Sequence, residues 1–145
     1  MTTSLTTFVL DQALGPPVEA RALVSPSAFS ARYDLDRETG VITRVDHPLR
    51  GTSVAGTILI CPAVQGGVAA GWTFMKLAGL GVGFAGIVFG RTNPVMVQGA
   101  QAAGLPIGAG IDPNAYDLIT ADAIVRLDPP GRRLTVISTL PHPPD

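Results

Sequence analysis

The sequence predicts an α/β domain built on a small parallel sheet. Three features point to it. Apolar β-branched runs alternate with helix-period segments through residues 57–111. Short β-rich segments flank that alternation on both sides. Between the first apolar run and the first helix lies a glycine-rich stretch, residues 62–71, of the kind that joins a strand to a helix.

Taken in order, residues 1–14 are Thr-rich and read as a lead-in before Gly15-Pro16-Pro17. Val18–Val24 is a strand, with Glu19 and Arg21 on one face and Val18, Ala20 and Ala22 on the other. Ser25-Pro26-Ser27 breaks it. Residues 34–40, DLDRETG, carry turn chemistry at both ends, and residues 41–45, VITRV, read as a further strand. Residues 46–51, DHPLRG, form a loop. Thr57–Cys61 is apolar and β-branched, as a strand buried on both faces should be.

Val68, Trp72, Met75 and Leu80 then recur at helical spacing, and Gly79, Gly81 and Gly83 end that helix. Residues 84–89, FAGIVF, are a second buried strand. Arg91-Thr92-Asn93 is a polar turn, after which Pro94 suits the first position of a helix with Asn93 as its cap. Gly104 stops that helix. A third extended segment spans residues 105–111, and Asp112-Pro113-Asn114 is a turn or the start of a short helix. Asp128-Pro129-Pro130-Gly131 lies between two apolar runs, residues 124–127 and 134–137, and predicts a hairpin. Residues 141–145 are a Pro-rich tail expected to fray. The expected body, residues 15–140, is β-barrel-like or a mixed sheet with right-handed crossovers.

Composition narrows the partners. A chain of 145 residues is one domain by size. The net charge is −1 and the pI about 6.0, with no basic stripe, so nucleic acid is not an expected partner. Charged residues make up 14% of the chain, against roughly 25% in average soluble domains, and the mean hydropathy is +0.36. Either a membrane segment or an apolar face buried on another protein would account for this. The most apolar run, residues 77–89, is broken by Gly79, Gly81, Gly83 and Gly86 and follows Lys76, whereas a spanning helix needs about 20 apolar residues. No charged-then-apolar start resembles a signal peptide. A cytoplasmic protein with a protein partner is the expectation. Cys61 is the only cysteine, which rules out an internal disulfide and cannot by itself hold an iron–sulfur cluster or structural zinc. At a strand end it reads as a small buried hydrophobe.

The chemistry is sparse. Residues 63–70 contain no acid, base or nucleophile. What they do provide is backbone N–H at a helix start, a cradle for a carboxylate or phosphate. In open α/β sheets ligands bind beyond the carboxyl ends of the strands. Two loops leave that edge, one at residues 63–68 and one at residues 90–93. Arg91 is the cation near them, able to grip a carboxylate through two parallel hydrogen bonds or to stand in solvent. Asn93 is a ligand contact or a helix cap. His47 sits in a turn-like loop and His142 in the tail. There is no Ser-His-Asp order, HExxH, CxxC, Walker motif or GxGxxG.

ALVSPSAFS at residues 22–30, ETGVI at 38–42, DHPLRGTSVAGTILICP at 46–62, the glycine-rich loop, and TNPVMVQGAQAAGLP at 92–106 occur in an order that resembles the small subunit, or swivel domain, of the aconitase X family of hydro-lyases. The resemblance covers most of residues 15–127. It implies the swivelling β/β/α fold of aconitase-like enzymes and a heterodimer with a large subunit that carries an iron–sulfur cluster on its own cysteines. The active site would lie in the cleft between the two, and this chain would bind no cofactor alone. Characterised relatives dehydrate cis-3-hydroxy-L-proline in bacteria or a phosphorylated mevalonate in archaea. The expected substrate is a small hydroxy acid, cis-3-hydroxy-L-proline first, bound by Gly66, Gly67, Val68, Arg91 and Asn93. Many members carry a loop like PSGRGSSTGS, in which a serine takes the substrate proton. Here the serine positions fall on Gly67 and Val68, and Gln65 stands where an Arg is frequent. The alternative expectation is a non-catalytic lid or regulatory subunit that has lost that serine.

Overall fold

Two strands only two residues apart, Thr6–Val9 (β1) and Gln12–Leu14 (β2), lie on opposite edges of one eight-stranded sheet. The structure, a computed structural model, describes residues 6–25, 29–30, 36, 38–43, 49–65, 68–91, 94–120 and 123–138. The remaining elements are Val18–Val24 (β3), Phe29–Ser30 (β4), Thr57–Cys61 (β5), Val64–Gln65 (β6), Val68–Gly79 (α1), Gly86–Phe89 (β7), Pro94–Ala102 (α2), Ile107–Ala109 (β8), Ala115–Leu118 (α3), Ile124–Asp128 (β9) and Arg133–Ser138 (β10). The strand order is β1-β10-β9-β3-β5-β7-β8-β2, and β4 and β6 form a separate parallel pair.

Strands β3, β5, β7 and β8 are parallel neighbours, and the antiparallel strands flank them. The α/β alternation read from residues 57–111 is this parallel core. The sheet is rolled. Eight strands laid flat would span roughly 34 Å at about 4.8 Å per step, yet the chain from Val9 to Gln12 reaches at most roughly 11 Å. Leu10 and Asp11 close the roll. The Leu10 amide donates to the Arg132 carbonyl (2.8 Å) on one edge, and the Asp11 amide donates to the Ala109 carbonyl (2.9 Å) on the other.

Because side chains alternate across a strand, the roll has two cores. Leu59, Cys61, Ile87, Phe89 and Ile107 face outward and pack with Leu77 of α1 and Ala100 of α2. Ile58, Ile60 and Val88 face inward, where they meet Val125, Leu127, Leu134, Phe8 and Leu10. Every residue of β5, β7 and β8 is buried, as expected of strands covered on both faces.

Both long helices end in the same way. Gly81 and Gly104 take left-handed φ values of 76° and 73°. The amides of Gly81 and Val82 bond the carbonyls of Ala78 and Leu77, while those of Gly104 and Leu105 bond Gln101 and Ala100. These are Schellman closures, which return the chain sharply towards the sheet.

Two sequence readings are corrected. Residues 6–14, read as part of a lead-in, are strands β1 and β2; they are short, and their partners β10 and β8 are remote in sequence. The strand expected over residues 41–45 shrinks, within its described part, to isolated bridging at Val41, antiparallel to Ser53, and at the fully buried Ile42. The tail at 141–145, His47 and His142 lie outside the described residues.

Candidate functional site

β5 and β7 are parallel and end side by side, Cys61 opposite Phe89. The turns that leave them are stitched together. The Gly90 amide donates to the Cys61 carbonyl (3.1 Å), and the Arg91 amide donates to the Pro62 carbonyl (2.9 Å). Arg91 thus begins its turn directly against the first residue of the glycine-rich stretch, with its side chain exposed. Val68 is the first residue of α1, and α2 begins at Pro94. Neither helix has an acidic residue in its first turn, while Lys76 occupies the last turn of α1. The positive ends of both helices are therefore uncompensated by their own first-turn side chains. Gly66, Gly67 and Asn93 lie outside the described residues.

Two features escaped the sequence reading. Val64–Gln65, assigned to a loop, is β6, paired in parallel with Phe29–Ser30 so that Val64 lies opposite Phe29 and Gln65 opposite Ser30. That pairing anchors the chain just before residues 66–67. The second is Tyr116 on α3. A Cβ placed on Gly90 would lie 2.7 Å from the Tyr116 hydroxyl oxygen and 3.0 Å from the Pro62 carbonyl oxygen. The phenol therefore reaches the point where both turns begin. It does so from α3, which packs on the inward core, while α1 and α2 cover the outward one. The Asp112-Pro113-Asn114 turn was legible in the sequence, but nothing in a four-residue helix marks the one side chain that reaches the sheet edge.

Burial raises the Tyr116 phenol above its ordinary value, nearby Cys61 adds to that, and a backbone hydrogen bond from Gly90 opposes it. Cys61 itself is fully buried, as a small hydrophobe at a strand end should be. Burial pushes its thiol far up, and a 3.5 Å hydrogen bond to the Ala63 carbonyl accompanies it. A thiol held protonated against a core does not fit a nucleophile or an iron ligand. Among the described residues no group of three or more His, Cys, Asp or Glu is placed to hold a metal ion.

A cavity of about 350 Å³ opens at the β2–β8 edge instead, among Asp11, Gln12, Leu14, Val97, Ile107 and Arg132. It takes no lining from the two turns or from Tyr116. Asp11, Gln12 and Arg132 give it polar groups, but it lies apart from the carboxyl ends of β5 and β7, where open α/β sheets hold their ligands. Among the described residues no helix is long and apolar enough to cross a membrane.

The aconitase X swivel domain, as a family model, matches residues 8–136. The chain belongs to the aconitase X family. Its part in that family is the swivel domain. The phosphomevalonate dehydratase small subunit of Methanopyrus kandleri is 28% identical over 116 residues, covering 80% of this chain and 86% of that one. The protein of the same name from Thermococcus gammatolerans is 31% identical over 99 residues, covering 68% and 76%. The crystal structure of Thermococcus kodakaraensis aconitase X in its holo form superposes with a TM-score of 0.83 over 92% of this chain and 99% of that chain, at 22% identity. The swivel-domain fold expected from the resemblance is therefore the fold observed, a mixed sheet with its two long helices on the outward face.

Proposed function

We propose that this chain is the small subunit of an aconitase X-type hydro-lyase and forms one wall of a substrate cleft closed by a large subunit. The observation that carries this is the carboxyl edge itself. Two turns bonded to each other leave β5 and β7 there, Arg91 stands on one of them, and each leads on to a helix without an acidic first turn, in a chain whose relatives are named dehydratase small subunits. The low charge of the chain fits a protein that buries an apolar face on a partner.

In the proposed reaction the substrate carboxylate sits on the amides of Gly66, Gly67 and Val68, with Arg91 and Asn93 beside it. A proton leaves the carbon next to the carboxylate, and charge builds on the carboxylate oxygens as it goes. In a preorganised site each such amide donor would stabilise that charge by about 2.7–4 kcal/mol. The adjacent C–O bond then breaks and the hydroxyl departs as water. An iron–sulfur cluster on the large subunit would supply Lewis acidity for that departure. Gly67 and Val68 have no side chain that can accept a proton, so the base lies outside residues 62–71.

The substrate we favour is cis-3-hydroxy-L-proline. Gln65, the last residue of β6, stands where a cation would favour a phosphate, and Arg91 is the one cation on the described part of the two turns. The names of the relatives favour a phosphorylated mevalonate, which backbone amides alone can also hold. We place the complex in the cytoplasm.

Co-expression with the large subunit, followed by assay of the purified complex against both acids, tests this. Loss of cis-3-hydroxy-L-proline supports the reading, and turnover of the phosphorylated acid alone replaces the substrate. An assembled complex inert towards both leaves the second reading, a lid without chemistry, which the missing serine favours.

A further inference from the structure

The edge described above has backbone donors and one cation, yet its glycine-rich stretch offers no side-chain hydroxyl. A hydroxyl does reach the same place from elsewhere in the fold. We propose that Tyr116 is a side-chain hydrogen-bond donor of this site, giving its phenolic O–H to an anionic oxygen of the bound acid. The inference rests on the reading that an acid is held at this edge.

Geometry carries the argument. The Cβ position of Gly90 lies within 3.0 Å of both the Tyr116 hydroxyl and the Pro62 carbonyl, so the phenol stands at the common origin of the two turns. Any side chain at residue 90 would displace it; glycine leaves the space to the hydroxyl. The Arg91 amide is bonded to that same Pro62 carbonyl, which fixes the cation's backbone beside the phenol. Tyr116 is part-buried rather than sealed, and its oxygen takes a backbone hydrogen bond from Gly90, which leaves its own proton to give. Its ring packs on the inward core. An anion at the start of these turns would meet the phenol with the Arg91 backbone anchored alongside it.

The alternative role for a hydroxyl here is that of the absent base. Burial argues against it. A phenol raised above its usual value stays protonated throughout the neutral range, so it gives a hydrogen bond and does not take a proton. The step is therefore one of binding and charge stabilisation, in which no bond to Tyr116 forms or breaks.

The test uses the complex with its large subunit and compares wild type with Tyr116→Phe. Calorimetric titration with cis-3-hydroxy-L-proline and with the phosphorylated acid reads binding, and steady-state assay reads kcat and KM. A hydrogen bond from a neutral donor to a charged oxygen predicts a loss of roughly 10- to 100-fold in affinity and in kcat/KM. The melting temperature and subunit stoichiometry should stay unchanged. Tyr116→Phe binding and turning over the acid within twofold of wild type overturns the inference while leaving the dehydratase reading intact. A loss that comes with dissociation of the subunits also overturns it, because that marks a structural role. A wild-type complex that binds neither acid overturns the reading and the inference together.

Discussion

Leu10 occupies the space that a side chain at Gly108 would need: a Cβ there would lie 2.6 Å from Leu10 Cδ1. Leu10 is 1% exposed and belongs to the joint between β1 and β2, while Gly108 is the middle residue of β8. The glycine thus lets the closing segment sit flush against the inside of the roll. Leu127 of β9 approaches the same glycine, at 3.6 Å from the same point, so both flanks of the sheet meet there.

Leu10→Ala should cost about 2–5 kcal/mol, the range for emptying a buried leucine site. Gly108→Ala should also destabilise, since Leu10 has little room to yield. The double variant should be more stable than the two single losses added together, because the new methyl takes part of the space that the leucine vacates. Urea unfolding of the four proteins measures the coupling. Strict additivity would show that the two residues do not share this space.

How much of this was legible in the sequence depended on how local each signal is. Thr57–Cys61 and the helices that start at Val68 and Pro94 carry their own periodicity and their own stops, and they were read nearly to the residue. β1 and β2 were not, because TTFV and QAL are too short to show a period, and Thr7 pairs with Thr135 at the other end of the chain. The candidate site divides in the same way. Arg91 stood beside a recognisable turn. Tyr116 reaches that turn only through the tertiary fold, from a helix of four residues. Cys61 was legible as a hydrophobe because a β-branched run on both sides of a strand leaves a thiol no route to water.

Cys61 should make the protein lose stability in mild alkali. Its thiol is held well above the ordinary value of about 8.5 in the folded state and returns to that value on unfolding. Above about pH 8.5 the unfolded chain therefore binds fewer protons than the folded one, and stability falls with rising pH. The slope from this one group approaches 1.4 kcal/mol per pH unit. Its contribution is fully present below about pH 8.5. Chemical denaturation between pH 8 and 9, before tyrosines ionise appreciably in the unfolded chain, measures the slope. Cys61→Ala should flatten it, even though the variant is less stable at pH 7. Equal slopes in the two proteins would mean the thiol is not held neutral.

Lys76 and Glu38 should contribute little to stability despite a separation of 2.6 Å. Their side chains are 48% and 69% exposed, and water screens such pairs. Lys76→Met should change the unfolding free energy by less than about 1 kcal/mol at physiological salt. Part of any change would come from losing the only basic residue in the last turn of α1. A larger loss that vanishes at high salt would show that the pair is better shielded than its exposure indicates.

Arg91 should separate binding from folding. Its amide, not its guanidinium, fastens the turn to Pro62, so Arg91→Ala keeps that hydrogen bond and should leave the melting temperature within about one degree. The exposed side chain is free to meet an acid brought to the cleft. Removing it should lower kcat/KM of the assembled complex by roughly 10- to 100-fold, the worth of charge-assisted hydrogen bonds. Arg91→Lys keeps the charge but loses the planar fork, so it should fall between the two. Steady-state kinetics of the three complexes orders them. Turnover in Arg91→Ala equal to wild type would remove this residue from the binding site and leave the substrate carboxylate to the amides of the helix starts.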